Sequence, residues 1–386
     1  MNSSAFLLRM PHPRLFALRE RLAARLTVLA AVGLLSIFLL AVLVFWGGVS
    51  AAIGFWKGAG AQGPLLAFCC AALAFVGGFL TLRLLFVPLP APEGVQISPE
   101  DASDFHRLIE GMAWALDSDR IDHVWVTPEM NAAVLQRSRW GYFGRIETHL
   151  LLGLPLAHSV TCPQLVAVLA HEFAHLAVQR KGFGKYGALL RAWWLRVLDK
   201  IGEMFPILGA GADRWLRRFY SNMARLARIE EFEADALATQ LVDADLLGET
   251  LIEVSLKEQF LFRDYWPRVL AQSKVRAKPL VRPYRDLGLG MTAGFLRVVC
   301  DDALAGEAPE RSLHPTTKER LSALRVLPQM SSEDLPSAAT HYFSQLLLPL
   351  AWTFDRAWWR DVRPDWQLIY HDVRRGRKHN NKHRGE

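Results

Sequence analysis

Two long apolar runs stand near the start of the chain. Residues 27–46 are mostly Leu, Val, Ala, Ile and Phe, and residues 64–82 form a second run without a charged side chain. A helix of about 20 apolar residues is long enough to cross a bilayer. The pattern therefore predicts a transmembrane hairpin over residues 26–87, with residues 47–63 as its loop.

The charges beside these runs predict an orientation. Five arginines precede the first run, whereas the loop contains only Lys57. Because basic residues stay on the cytoplasmic side, both termini are expected in the cytoplasm and the protein in an inner or plasma membrane. A cleaved signal peptide is the alternative for the first run, but the run is too long and a second one follows it directly.

Short strands are predicted after the hairpin. Residues 101–116 have helical periodicity, whereas residues 122–126 and 145–152 have the composition of strands. We expect the strand around 145–152 to form the edge along which an extended peptide would bind. His149 within it is interpreted as structural rather than catalytic.

Helices are predicted for most of the remaining chain. Thr161 and Gln164 have the spacing of a capping box, which predicts a helix to about residue 181. Apolar residues recur at helical spacing over 187–200, so this helix packs either on the core or on the membrane surface. The expected fold class is α+β and mostly helical.

Composition excludes two classes of protein. The net charge of the 386 residues is +7, but residues 1–25 contribute +4 and residues 374–386 contribute +5, which leaves the body slightly negative. A basic groove for nucleic acid is therefore not expected. Four cysteines are too few and too scattered for a disulfide framework.

The segment His171-Glu172-Phe173-Ala174-His175 has the residue types and the spacing of a metal-binding site. Histidines at positions i and i+4 lie on one face of a helix, so both imidazoles can reach one zinc ion. Glu172 is offset enough to contact a water on that ion. A catalytic zinc has three protein ligands and an open position, so a third ligand is needed.

Acidic residues between 230 and 235 offer that ligand. Glu231 and Asp235 have i, i+4 spacing, which places a ligating carboxylate and a second carboxylate on one helical face. The second could accept a hydrogen bond from a zinc-bound histidine. Glu230 and Glu233 are interpreted as a solvated face, although the sequence leaves open a register in which one of them is the ligand.

Three segments together resemble the HtpX-like and CAAX-prenyl-protease group of integral-membrane zinc metallopeptidases, which are gluzincins. They are the histidine motif, the 231–235 segment, and Ser312-Leu313-His314-Pro315 followed by Lys318-Glu319-Arg320-Leu321. The resemblance covers most of residues 93–325. It implies one zinc per chain.

The resemblance also implies roles for single residues. Zinc ligands would be His171, His175 and Glu231, with Glu172 as the general base. Asp235 would orient a ligating histidine.

The third segment supplies two further candidates. Gluzincins place a hydrogen-bond donor, often a histidine, at the oxyanion that forms on the substrate carbonyl, and His314 is our candidate. Arg320 is expected to orient a carboxylate or to hold the loop. The alternative is that His314 caps this loop and Arg320 forms only an ion pair.

The expected organisation is a basic segment over 1–25, the hairpin over 26–87, a zincin-type (gluzincin) metallopeptidase domain over 88–373 and a basic tail over 374–386. HtpX-like members usually have further spans between the histidine motif and the third ligand, but residues 182–220 are too charged for one. The seven-span chamber of the CAAX proteases is not predicted either, so prenylated substrates are not implied.

The sequence thus predicts a membrane-anchored zinc endopeptidase. Its expected partners are protein or peptide substrates and the lipid bilayer, without nucleic acid, and the resemblance suggests quality control of membrane proteins. The oligomeric state is not predicted. The alternative is a catalytically silent membrane scaffold or adaptor with a structural zinc, although a structural zinc usually has four protein ligands.

Overall fold

The computed structural model of the chain describes residues 12–58, 60–86, 89–140, 142–180, 184–204, 209–289, 314–329 and 335–382. Within these ranges, the α-helices are α1 (His12–Gly58), α2 (Gly63–Arg83), α3 (Ser103–Ala115), α4 (Leu154–Ser159), α5 (Cys162–Gln179), α6 (Gly184–Met204), α7 (Gly209–Ala238), α8 (Ala244–Phe260), α9 (Trp266–Ala271), α10 (Thr317–Leu324), α11 (Ala338–Tyr342) and α12 (Leu347–Lys382). The strands are β1 (Val95–Ile97), β2 (His123–Thr127), β3 (Ala132–Trp140) and β4 (Phe143–Gly153). The predicted fold class, mostly helical with a small sheet, is confirmed.

The helices α1 and α2 form an antiparallel hairpin, and both are long and apolar enough to cross a membrane. Small residues lie where they touch. A β-carbon at Gly48 would be 2.0 Å from that of Ala74, and one at Gly78 would be 3.7 Å from the backbone oxygen of Ala41. Small side chains let two helix backbones approach closely, which is how helices associate in lipid.

The first helix is longer than the predicted first span. It continues without a break to Gly58, through residues that the sequence pattern assigned to the loop, so the predicted loop over 47–63 is too long. A bilayer would favour an unbroken helix through these glycines, because a helix satisfies its own backbone groups. The 47 residues of α1 span about 70 Å, whereas the apolar core of a bilayer is about 30 Å thick. The N-terminal half of α1 therefore extends beyond the hairpin.

That N-terminal half packs on the rest of the chain. Leu26 and Ala30 of α1 are buried in one cluster with Trp193 and Val197 of α6. A β-carbon at Gly33 would lie 2.4 Å from the ring of Trp194, so α6 touches the backbone of α1 there. Of the two environments predicted for residues 187–200, the apolar face of α6 thus adopts the packed one, with α1 as its partner.

Polar contacts reinforce this packing. Arg19 of α1 is almost fully buried, donates to the backbone oxygen of Val178, and lies 3.3 Å from a carboxylate oxygen of Glu233. Arg191 of α6 donates to the hydroxyl of Thr27 at 2.8 Å. The helix α1 therefore crosses the predicted boundary between residues 25 and 26 and contacts the body on both sides of it.

The sheet has the strand order β1-β2-β4-β3, with β2 and β4 parallel and the other pairs antiparallel. The strand predicted at 145–152 lies in β4, which pairs with β2 through His123 and His149 and with β3 through Ala132 and Leu152. It is internal, so the expectation that it forms the edge was wrong. Within the described residues, β3 is the edge strand on that side.

One hydrophobic core joins the sheet to the helices. Alternate residues of β2 and β4, among them Val124 and Leu150, are buried together with Leu165 and Phe173 of α5. This packing places the start of β3 beside the helix that carries the histidine motif. At the other end of the chain, α12 extends into the predicted basic tail as far as Lys382, and residues 383–386 lie outside the described part.

Candidate metal centre and active site

The helix α5 presents the histidine motif. Its first turn is closed by the predicted capping box, in which the hydroxyl of Thr161 accepts from the backbone N–H of Gln164 and the Gln164 side chain accepts from the backbone N–H of Thr161. The apolar face of α5 is buried in the core. Burial of that face turns His171 and His175 to the opposite side, where their Nε2 atoms lie 3.1 Å apart.

The helix α7 brings the third side chain to the same point. Ala234 and Ala238 are fully buried, which lets α7 approach α5 closely. The carboxylate of Glu231 lies 3.3 Å from Nε2 of His175 and 3.5 Å from Nε2 of His171. The structure therefore brings together the three predicted ligands, and their ligand atoms lie within 4.8 Å of one another.

The carboxylate of Asp235 and the guanidinium of Arg320 hold the ring of His171 in position. Asp235 accepts from Nδ1 of His171 at 3.0 Å, which leaves Nε2 of this histidine free to bind a metal. The guanidinium of Arg320 forms a two-pronged contact with Asp235, Nε donating to Oδ2 at 2.8 Å and Nη2 to Oδ1 at 2.6 Å. The contact of Arg320 fits both the orienting role and the ion pair given as its alternative, so the roles of these two residues stay predictions.

The charges in this group shift its pKa values. Burial and Arg320 lower the pKa of His171, but hydrogen bonds with Asp235 and Glu231 outweigh them and raise it to about 9. Burial opposes ionisation of Asp235, yet Arg320 and His171 hold its pKa at about 2. The pKa of Glu231 is also lowered, because its hydrogen bonds with histidines outweigh its burial. Both carboxylates are therefore ionised, and a metal would displace the proton of His171.

The donor set fits zinc. Two imidazole nitrogens and one carboxylate are the ligands of many catalytic zinc sites. Oε2 of Glu231 is buried and has only longer polar contacts, at 3.5 Å to Nε2 of His171 and 3.7 Å to Nη1 of Arg320. The ionised carboxylate thus has one oxygen without a close partner, and a cation bound between it and the two imidazole nitrogens would satisfy that oxygen.

The two glutamates beside Glu231 were expected on a solvated face, and the structure corrects this. Glu230 and Glu233 are largely buried, and they face Arg191 at 4.0 Å and Arg19 at 3.3 Å. Burial raises the pKa of Glu230 despite Arg191. Glu233 does not line the cleft, whereas Glu230 lines it but lies outside the cluster of converging ligand atoms. Arg19 and Arg191 gave no signal in the sequence, since both lie in ordinary basic stretches.

His314 lies at the rim of the same group. Its Nδ1 is 2.9 Å from Oε1 of Glu231, and this hydrogen bond raises the pKa of His314. The side chain is otherwise exposed to the cleft. Ser312 and Leu313, which belong to the same sequence signature, lie outside the described residues.

The group opens into a cleft of about 810 Å³. One wall is the start of β3, residues 131–134, and another is the apolar side of α8 with Leu247, Leu251 and Val254. Glu172 lines the cleft next to the two histidines. The cleft is thus lined by the three candidate ligands His171, His175 and Glu231, called the metal group below, by the carboxylate of Glu172 and by the edge of β3.

A second cluster, His123, Glu147 and His149, has metal-ligand residue types on the sheet. Nε2 of His149 lies 3.8 Å from Glu147, but Nδ1 of this histidine accepts from the indole N–H of Trp125 at 3.1 Å. An indole N–H can only donate, so the proton of a neutral His149 resides on Nε2, where it blocks metal binding. Burial lowers the pKa of His149, which favours the neutral form. The contacts agree with a structural role for His149.

Comparison with protein families gives the chain's family. No curated protein matches the chain. The family model described as peptidase family M48 matches residues 105–327, which is more than half of the chain and includes the histidine motif, Glu231, His314 and Arg320. This family includes the HtpX and CAAX-protease types, so the resemblance found in the sequence is confirmed. The chain belongs to peptidase family M48, a family of membrane-associated zinc metallopeptidases.

Proposed function

We propose that this metallopeptidase is a zinc-dependent endopeptidase anchored in the membrane by its N-terminal hairpin. The observation that carries the proposal is the convergence of His171, His175 and Glu231 beside Glu172 in an open cleft. A catalytically silent scaffold with a structural zinc is less well supported, because the ligand cluster within the described residues has three members and opens to the cleft. The family supports a role in quality control of membrane proteins.

The residues around the metal group would divide the chemistry among them. Bound zinc would act as a Lewis acid that polarises the peptide carbonyl and acidifies water. Glu172 takes a proton from the attacking water and delivers it to the leaving amine. Asp235 fixes the tautomer of His171, and Arg320 keeps Asp235 in place. His314 donates to the oxyanion that forms on the carbonyl.

The start of β3 is the proposed binding edge for the substrate. Residues 132–134 line the cleft, and on the side of β3 away from β4 no strand pairs among the described residues. An extended peptide can add to such an edge through backbone hydrogen bonds, which hold it regardless of its sequence. A broad substrate range is the expected consequence.

The proposal is tested with purified full-length protein in detergent. We expect about one zinc per chain by metal analysis and cleavage of an unfolded protein within the chain rather than from its ends. A chelator should abolish cleavage, and added zinc should restore it. Zinc-free protein with full activity, or zinc-loaded protein that cleaves nothing, would refute the proposal.

His314→Ala should lower turnover by about 10²- to 10³-fold, the usual loss for one oxyanion donor. Its exposed position on the rim predicts that thermal stability stays near that of the unmodified protein. The measurement is steady-state kinetics together with zinc content and a melting curve. Full activity would assign His314 a structural role, and so would a loss that follows unfolding alone.

Topology is a separate prediction. Both termini and the catalytic body are expected in the cytoplasm. The arginine-rich segment before the first span resists translocation, and two spans return the chain to the side on which it started. The turn around residues 60–62, rather than the whole 47–63 segment, should be exposed outside. Cysteines placed at Gln62 and Ser98 can be labelled with an impermeant reagent on intact cells. Labelling at Ser98 but not at Gln62 would show the opposite orientation and contradict the prediction.

A further inference from the structure

The edge strand β3 connects two distant parts of the molecule. Its first residues, Ala132 to Val134, line the cleft beside the metal group. Its last residue is Trp140, and the strand between Ala133 and Trp140 advances seven residues, about 24 Å at about 3.4 Å per residue. The far end of β3 therefore lies well outside the catalytic centre.

The far end of β3 lies where the hairpin meets the body. Arg137 of β3 donates to the backbone oxygen of Leu89 at 3.2 Å. Leu89 lies just after the end of α2, which closes the hairpin at Arg83. The contact therefore ties the outer half of β3 to the point where the chain leaves the predicted membrane span.

A second set of contacts reaches the same place from the other helix. The turn after β3 carries Tyr142, whose ring centroid is 6.3 Å from that of Trp193. Tyr142 and Trp193 belong to one apolar cluster with Leu84, at the end of α2, and Ile37 of α1. The cluster thus contains residues beside both hairpin helices. Along α1 it extends from Leu22 to Ile37, so Ile37 and Leu84 mark the level at which the body ends and the two spans begin.

Exposed aromatic side chains surround this level. Trp140 is 63% exposed, Tyr186 at the start of α6 is 59% exposed, and Phe86 after α2 is 50% exposed. Tryptophan and tyrosine concentrate at the boundary between lipid and water, where an apolar ring with a polar tip is best solvated. A bilayer around the hairpin therefore reaches the end of β3 at Trp140.

We propose that β3 is a guide that receives an extended segment of a membrane-anchored polypeptide at the bilayer surface and leads it to the metal group. The inference rests on the proposed endopeptidase function with membrane proteins as substrates, and it adds the distance of the cut from the bilayer and the direction in which the substrate is bound. The length of β3 sets where they are cut, about seven or eight residues beyond the end of their span.

The pairing also sets a direction. Antiparallel strands pair slightly more strongly than parallel ones. Because β3 runs from the cleft toward the bilayer, an antiparallel substrate runs from the bilayer toward the cleft in the N-to-C direction. Preferred substrates therefore have their span on the N-terminal side of the cut.

The test uses the full-length protein and a single-span substrate reconstituted in the same vesicles. The span is followed by a segment of one repeated short sequence, of about 4, 14 or 24 residues, and then by a tightly folded reporter. Cleavage is expected with the two longer segments, with the first cut at the same distance from the span in both. Equal cleavage of the shortest segment, or cuts scattered along the longest one, would overturn the proposal.

Two controls separate this proposal from the underlying function. The repeated sequence is also offered as a soluble peptide, and failure to cut it would refute the endopeptidase function rather than the guide.

Trp140→Ser should reduce cleavage of the anchored substrate about tenfold more than cleavage of the soluble peptide. The matched control is Trp114→Ser, an exposed tryptophan on α3, which should leave this ratio unchanged. An unchanged ratio in Trp140→Ser would also count against the guide.

Discussion

Glu172→Gln should leave the protein folded and loaded with zinc but lower peptide hydrolysis by at least about 10²-fold, because a positioned general base contributes about 10²- to 10⁴-fold. Glutamine keeps the shape of the side chain and cannot take a proton from water. Glu172 is not among the three converging ligand atoms, so metal binding should survive. The measurement is kcat/KM on an unfolded substrate with zinc analysis of the same sample.

The control for this experiment is Glu258→Gln. Glu258 lines the same cleft from α8 but lies apart from the ligand cluster. Its substitution should change kcat/KM only a few-fold while making the same change of charge. Loss of zinc in Glu172→Gln would instead make Glu172 part of the ligand set, and wild-type activity would remove it from the mechanism.

Glu231→Gln should weaken zinc binding by more than about 100-fold, the upper end of the effect seen for residues that only support a ligand. The substitution removes an ionised ligand and also the acceptor of His314. The sequence left open which of three glutamates binds the metal, and the structure separates them by their partners. Zinc affinity is measured by competition with a chromogenic chelator.

The neighbouring glutamates provide the matched variants. Glu230→Gln and Glu233→Gln should stay within about tenfold of the unmodified affinity, since their carboxylates face Arg191 and Arg19. If Glu230→Gln loses zinc while Glu231→Gln retains it, the register of α7 differs from that described above.

The parts of the fold that depend on local sequence were predictable. The histidine pair follows from i, i+4 spacing, and the start of α5 follows from Thr161 and Gln164, because a helix and its cap involve residues a few positions apart. The apolar runs likewise predicted two long apolar helices from length and composition alone. The i, i+4 pair Glu231 and Asp235 suggested one shared face for the same reason.

The remaining features depend on residues far apart in the chain. Strand order could not be predicted, because the two sides of β4 pair with β2 and β3 through contacts that no local pattern encodes. The burial of Glu233 was missed since its partner, Arg19, is on a helix near the N-terminus. The length of α1 was misjudged because its glycines, which have low helix propensity, were interpreted as a loop, whereas the helix continues through them to Gly58.

Because α1 is one unbroken helix, it fixes the rotation of the catalytic body about the membrane normal. Gly33 meets Trp194 of the body and Gly48 meets Ala74 of the hairpin, and both contacts lie on one rigid helix. Each residue of a helix turns the chain by about 100° and advances it by about 1.5 Å. One residue inserted between these contacts would therefore swing the cleft about a quarter turn around the membrane normal while barely changing its height. The rotation of the active site about the membrane normal thus depends on the number of residues between the two glycines, together with the contacts of the body with the end of α2.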